Sequence, residues 1–145
     1  MLSDIVWNDA YTRAQLVAKQ QGLALVDALE QQSEDRPPLF WRMEAQASQS
    51  DRLGIGEEAT EEEGEFAFHL TIRAGSISTP DALSLCKGMS VMFRAQLEGV
   101  QRLPDGLHYG GQSLFPPDPD TGGNWFTMTL IVRYRFQDRL IRESE

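Results

Sequence analysis

The run from His108 to Ser113, HYGGQS, comes nearest to a nucleophilic site in this sequence. Hydrolases with a nucleophile elbow carry their serine in a Gly-x-Ser-x-Gly turn between a strand and a helix. Phe115 stands where the second glycine would be, and turn-forming residues follow in place of a helix. We therefore predict no catalytic serine. The only cysteine, Cys86, falls on an apolar helical stripe without an adjacent base, so we expect a small buried core residue.

Metal ligands are sparse. His69 and His108 are far apart and lack a ligand pattern, whereas a zinc site needs Cys, His or acidic ligands at close spacing, so we expect two solvated histidines. Residues 118–122, DPDTG, resemble the start of a calcium loop, but the glycine is one position early and Phe126 and Thr129 replace the later acidic ligands. No Gly-x-x-x-x-Gly-Lys phosphate loop is present. We predict neither a metal site nor a cofactor site.

Carboxylates are concentrated in one short segment. Its six glutamates are Glu57, Glu58, Glu61, Glu62, Glu63 and Glu65. Paired carboxylates can carry acid–base chemistry only where burial or tight like-charge pairing raises a pKa, and this segment offers little to desolvate them. We expect a solvated acidic loop. Its most specific possible role is electrostatic, either repelling polyanions or docking a basic patch on a partner.

The composition bounds the class of protein. A chain of 145 residues with 41% hydrophobic residues is most simply one domain, and its net charge is −9 with a pI near 4.7. Such a surface repels phosphate backbones, so sequence-specific nucleic-acid binding is disfavoured, although DNA could slide past without sticking. A signal-peptide pattern and an apolar run of about 20 residues are both missing, so we expect a soluble protein without a membrane partner.

The clearest structural element is residues 125–136, WFTMTLIVRYRF, which alternate with the period of a β-strand. One face of this strand is apolar and would rest on a core. The opposite face is mostly polar and carries Thr127, Thr129, Arg133 and Arg135.

The rest of the chain supplies the elements that would surround this strand. The predicted elements are a helix from Asn8 to about Gln31, a strand at 39–47, a loop at 48–64, a strand at 65–74, a helix from an N-cap at Thr79 to about residue 97, a short strand at 100–103, a weak strand at 107–115 and a turn at 116–124. This order predicts one α+β domain over residues 1–145, a two-layer sandwich with a mainly antiparallel four-stranded sheet and two helices on one face. Residues 1–8 could form an arm, ordered or flexible, or the start of the first helix. We expect a mobile acidic loop at 48–64 and a flexible tail at 140–145.

Several pieces of the sequence carry a family resemblance in their order and spacing. They are LGIG at 53–56, GEFAFHLTIR at 64–73, a Pro-started helix that ends near Met92-Phe93, YGG at 109–111, and Trp125 leading TLIVRYR at 129–135. Together they resemble small tail-terminator or tail-completion proteins of long-tailed bacteriophages and a phage-related domain family allied to them. The resemblance covers most of the chain after the first helix.

That resemblance implies a non-enzymatic ring subunit, often one of six, at the head-proximal end of the tail tube. The implied partners are other copies, the tail-tube protein and head-completion proteins, first in the host cytoplasm and then in the virion. The glutamates at 57–65 would then lie beside the lumen, where negative charge lets DNA pass. The polar strand face (Thr127, Thr129, Arg133 and Arg135) becomes a candidate subunit contact.

A second hypothesis is an acidic adaptor or DNA mimic that binds a basic protein. Replacing Glu61, Glu62 and Glu63 by Gln would abolish binding in that case, but would leave the assembly of a ring subunit intact. A third, enzymatic hypothesis would need a deep pocket with convergent polar groups, which the sequence does not indicate.

Overall fold

The structure, a computed structural model, describes residues 2–29, 37–53, 59–94, 100–120 and 122–139. These residues form two helices and five strands. The elements are α1 (Asp4–Gln20), β1 (Leu25–Asp27), β2 (Leu39–Leu53), β3 (Ala59–Arg73), α2 (Thr79–Met92), β4 (Leu107–Pro119) and β5 (Trp125–Arg139).

The strands form one sheet in the order β1-β2-β3-β5-β4. The four long strands are antiparallel to their neighbours, and β1 adds to the edge of β2 in parallel, with Leu25 opposite Trp41. The predicted α+β architecture is confirmed. The predicted count of four strands is wrong, because the short β1 was placed inside an overlong first helix.

Helix α1 begins earlier and ends earlier than predicted. Its N-cap is Ser3 rather than Asn8. Of the two alternatives for residues 1–8, an arm or the start of a helix, residues 4–8 adopt the second, because Val6 packs in the core. The helix stops at Gln20, and Gly22 has a φ of +73°, the left-handed conformation that ends helices and turns the chain toward β1.

Strands β2 and β3 form a long hairpin across most of the predicted mobile loop. Ser48 pairs with Gly64, and pairing continues to Leu53 opposite Ala59, after one irregularity between Ala45 and Ser48. The loop prediction was wrong for residues 48–53 and 59–64, since backbone pairing there does not require apolar side chains. Only residues 54–58 lie outside the described hairpin.

The second half of the chain follows the prediction more closely. Ser78, not Thr79, is the N-cap of α2, and its hydroxyl accepts from the Asp81 amide; the helix ends at Met92 instead of 97. Residues 100–103 form no strand. Strand β4 runs on through the predicted turn to Pro119, as an edge strand can despite its prolines. The prediction for β5 is confirmed, and the strand continues to Arg139. The predicted tail at 140–145 lies outside the described residues.

Both helices pack on one face of the sheet. The apolar side chains predicted for β3 and β5 form the floor of this core, and the helices cover it with small and apolar residues such as Ala10, Ala14 and Met89. Cys86 is buried among them, as predicted, and burial raises the pKa of its thiol to about 11. The opposite face of the sheet is therefore the surface on which function must be sought.

Candidate functional site on the open sheet face

The sheet surface opposite the helices brings together most of the predicted site residues. We call it the open face. Its members include Phe40, Arg42, Glu44, Glu61, Glu63, Glu65, Ala67, His69, Thr71, Arg73, Trp125, Thr127, Thr129, Ile131, Arg133, Arg135, Gln137, His108, Ser113 and Phe115. Neither helix covers this face in the part of the chain that the structure describes. The candidate contact set on β5 and half of the predicted acidic set on β3 are thus direct neighbours.

The acidic and basic side chains of the open face pair with one another. Arg133 Nε lies 4.0 Å from Glu65 Oε2, and Arg135 Nη1 lies 3.9 Å from Glu61 Oε1, while Glu63 stands directly opposite Arg135 in the ladder. Exposed pairs of this kind contribute only about 0–1 kcal/mol each. Their main effect is on the surface potential, because β5 offsets the negative charge of β3. Glu57 and Glu58 lie outside the described residues.

Glu62 differs from its acidic neighbours because it points into the helix side. Its side chain is buried, with 4% of the residue exposed, and it accepts hydrogen bonds from the Ser3 amide (3.1 Å), the Ser3 hydroxyl (2.5 Å) and the Tyr134 hydroxyl (2.5 Å). The positive end of α1 favours a carboxylate at this position. Burial, followed by the hydrogen bond to Glu62, raises the pKa of Tyr134. Glu62 therefore ties α1 to the hairpin and is not part of a solvated acidic surface.

An open groove of about 530 Å³ crosses one end of this face. Its lining residues are Ser48, Gln49, Glu63, Gly64, Glu65, His108, Tyr109, Gly110, Arg133, Tyr134 and Arg135. Arg133 reaches the Ser113 hydroxyl with both terminal nitrogens, at 3.3 and 3.4 Å. The groove is wide and open, and charged side chains of both signs line it, which suits contact with another polypeptide better than enclosure of a small molecule.

His69 lies at the centre of a hydrogen-bonded chain across three strands. Its Nε2 is 2.6 Å from Glu44 Oε1, and its Nδ1 is 2.8 Å from Thr129 Oγ1. The expectation of a solvated His69 was wrong: only 7% of the residue is exposed, because neighbouring side chains cover it. Burial lowers the pKa of His69, the Glu44 hydrogen bond raises it, and the charge of Arg42 lowers it; the net direction is downward. His108 is exposed, as predicted.

The titration of His69 provides a direct test of this chain. We expect its folded-state pKa to lie below 6.5, and Glu44→Gln to lower it further, because the substitution removes the carboxylate that favours the imidazolium. Since the unfolded state binds the proton more readily, His69 should reduce the free energy of unfolding as the pH falls below about 6.5. Imidazole NMR shifts measured against pH report the value, with Glu63→Gln as the matched control. A pKa at or above 6.5, or no response to Glu44→Gln, contradicts this arrangement.

A buried polar network fixes the segment before β4 to α1. Arg13 Nε donates to Asp9 Oδ2 at 2.8 Å, and Arg13 Nη2 donates to the Gln101 carbonyl at 2.8 Å. Gln101 Nε2 and the Tyr109 hydroxyl also donate to Asp9, at 3.0 and 2.6 Å. Burial first, and then Asp9, raise the pKa of Tyr109. The sequence signal for this network was available, because Asp9 and Arg13 are four residues apart on a predicted helix.

The described residues do not form a metal site, a membrane-spanning helix or a catalytic serine site. They bring no three His, Cys, Asp or Glu side chains into a cluster that could hold a metal ion. Neither described helix combines the length and apolar character that crossing a bilayer requires. Ser113 is engaged with Arg133, and its hydroxyl has no histidine partner among the contacts of the described chain.

Comparison with known proteins supports the fold. No protein-family model matches the sequence, and no curated protein matches it. One solved structure, designated only by a sequence identifier, superposes with a TM-score of 0.64 at 13% identity, covering 97% of this chain and 99% of the other. A chain of the virion of a native gene transfer agent particle superposes with a TM-score of 0.50 at 11% identity, covering 90% and 93%. The similarity spans nearly the whole length of both proteins and establishes a shared fold.

Proposed function

We propose that this protein is a structural component of a phage-like virion, and more narrowly a tail-terminator-like ring subunit that caps the tail tube at the head–tail junction. The observation that carries the proposal is the fold shared, over 90% of this chain, with a chain of a gene transfer agent virion. At 11% identity that likeness supports the fold, and the role in the virion is our inference from it.

The open face supports a contact between polypeptides. It presents paired charges of both signs beside a wide groove, and its polar rows are not occupied by either described helix. In a closed ring each subunit uses two different surfaces to meet two neighbours, so a broad uncovered face is a suitable half of such a contact. We infer that the Arg133 and Arg135 side chains exchange some of their β3 partners for acids of the next subunit.

The remaining parts of the proposal concern partners and location. The proposed partners are other copies, in a ring of six, together with the tail-tube and head-completion proteins, first in the bacterial host cytoplasm and then in the virion. The net charge of −9 would keep DNA from adhering during passage. The candidates for the lumen role are now Glu57, Glu58 and the exposed Glu63, because Glu62 is buried and Glu61 and Glu65 lie beside arginines. No catalytic role is proposed.

The adaptor hypothesis is weakened by the same observations. A basic partner would need a free cluster of carboxylates, yet of the four described glutamates Glu62 is buried, and Glu61 and Glu65 lie 3.9 and 4.0 Å from arginines. Glu63 is exposed. A ring subunit needs no such free cluster.

Assembly is the measurement that tests the proposal. Light scattering after size exclusion, and electron microscopy at high concentration with the tail-tube protein present, should show closed rings. Arg133→Glu with Arg135→Glu should weaken ring formation without unfolding, whereas Lys19→Glu on the exposed side of α1 should not. Monomers that persist in the presence of tail-tube protein would refute the ring.

A further inference from the structure

Strand β4 forms one edge of the sheet and is by far the longer of the two edges. It has 13 residues, whereas β1 at the other edge has three. No described strand pairs with the outer side of β4. The outward backbone N–H and C=O groups of an edge strand are a template on which another extended chain can add.

The ends of β4 are protected against such addition. The pairing with β5 is irregular between Tyr109 and Gln112 and again between Phe115 and Asp118, and Pro116, Pro117 and Pro119 remove amide donors from the second half. Bulges and prolines are the devices by which natural sheets block their edges. The four residues between the two bulges, which we call the edge window (residues 112–115, QSLF), have neither device.

The edge window is also uncharged and partly apolar. Gln112, Ser113, Leu114 and Phe115 pair regularly with β5, and 44% of Leu114 and 52% of Phe115 are exposed. Successive residues point to opposite faces of a strand, so one large apolar side chain is presented on each side. Phe115 stands opposite Thr129, within the candidate contact set, so the window continues directly into the open face.

We propose that the edge window is a strand-addition contact that accepts an extended segment from a second copy of this chain. This inference rests on the proposed function and locates one of the two surfaces that a ring needs. A second copy is favoured because the window adjoins the open face, where acidic and basic side chains can complement those of another copy, and because the window itself adds no like-charge contact between two chains of charge −9. The window spans only about 13 Å, so a single contact of this length is too small to hold two subunits together stably. In a closed ring, several such weak contacts act together.

The test combines substitution with amide hydrogen exchange on the full chain. Leu114→Lys and Phe115→Lys should each weaken ring assembly at least about tenfold in the protein concentration required, while circular dichroism stays unchanged. Leu83→Lys on α2 is the matched control, since 43% of Leu83 is exposed, and it should assemble like the unmodified chain. The amides of residues 112–115 should exchange more slowly in rings than in monomers.

The possible results separate this inference from the proposed function. If the unmodified chain and both lysine variants form rings alike, and exchange at 112–115 does not slow, the edge contact is wrong and the ring proposal stands. If amide exchange at residues 112–115 slows only when tail-tube protein is added, and the chain does not assemble with itself, the partner at the edge window is not a second copy. If the unmodified chain stays monomeric with tail-tube protein present and no slowing occurs, both proposals fail.

Discussion

Replacing Arg13 by Ala is expected to lower the free energy of unfolding by about 3–5 kcal/mol, because removing one partner of a buried ion pair leaves the other without compensation. Arg13 and Asp9 are both almost fully buried and bonded at 2.8 Å. The same substitution frees the Gln101 carbonyl and so detaches the segment before β4 from α1. Urea unfolding followed by circular dichroism measures the change.

A double-mutant cycle shows whether the pair itself is responsible. Asp9→Leu combined with Arg13→Met should cost less than the sum of the two single changes, because no isolated charge remains in the core. Thr12→Ala, on the exposed side of the same helix, controls for changes in helix propensity. Additive effects of the two single substitutions would show that Asp9 and Arg13 do not act as a pair.

Replacing Glu62 by Ala is expected to lower the free energy of unfolding by about 2–3 kcal/mol, whereas the same change at Glu63 should be nearly neutral. The difference follows from burial, since Glu62 satisfies the Tyr134 hydroxyl and the Ser3 amide, and a buried donor left without an acceptor costs about 1–3 kcal/mol. Glu62→Gln should fall between these values, because its amide oxygen can keep one acceptor contact. Thermal unfolding of the three variants makes the comparison.

The difference between Glu62 and Glu63 also changes how the adaptor hypothesis should be tested. Changing Glu61, Glu62 and Glu63 together would mix a loss of stability at Glu62 with a change in surface charge at the other two. Glu61→Gln with Glu63→Gln alters the open face alone. If Glu63→Ala proves as destabilising as Glu62→Ala, the assignment of the two side chains to opposite faces is wrong.

The parts of the fold that could be predicted are those where apolar residues repeat with the period of their element. Strand β5, the inner half of β3 and the stripe of α2 all meet this condition. The distal half of the β2–β3 hairpin does not, because its pairing is made by the backbone and its side chains are polar on both faces. The three-residue β1 is too short to show a period at all. Both were therefore assigned to other elements.

The candidate site was predictable only where the alternation along one strand determines which side chains share a face. The alternation in β5 identified Thr127, Thr129, Arg133 and Arg135 as one face, and the structure agrees. A run such as EEEGE does not reveal which carboxylate turns inward, since that depends on Tyr134 and Ser3, both distant in sequence. The burial of His69 likewise depends on side chains of the two neighbouring strands, β2 and β5. The sequence of β3 alone therefore does not reveal it.

The dimensions of the sheet bear on its mechanics. Strands β2, β3 and β5 each have 15 residues, or about 50 Å, while the helices of 17 and 14 residues span only about 25 and 21 Å. The core nevertheless continues as far as Glu62 and Phe136, and Glu62 is bonded to Ser3 at the start of α1, so only the last three residue pairs of the β2–β3 hairpin lie beyond the part of the sheet that the helices cover. Pulling on that end must break a ladder of backbone hydrogen bonds, whereas a loop would merely straighten. The hairpin that replaced the predicted loop ties these pairs to the rest of the sheet by backbone hydrogen bonds, so the end of the hairpin is held at a defined distance from the core.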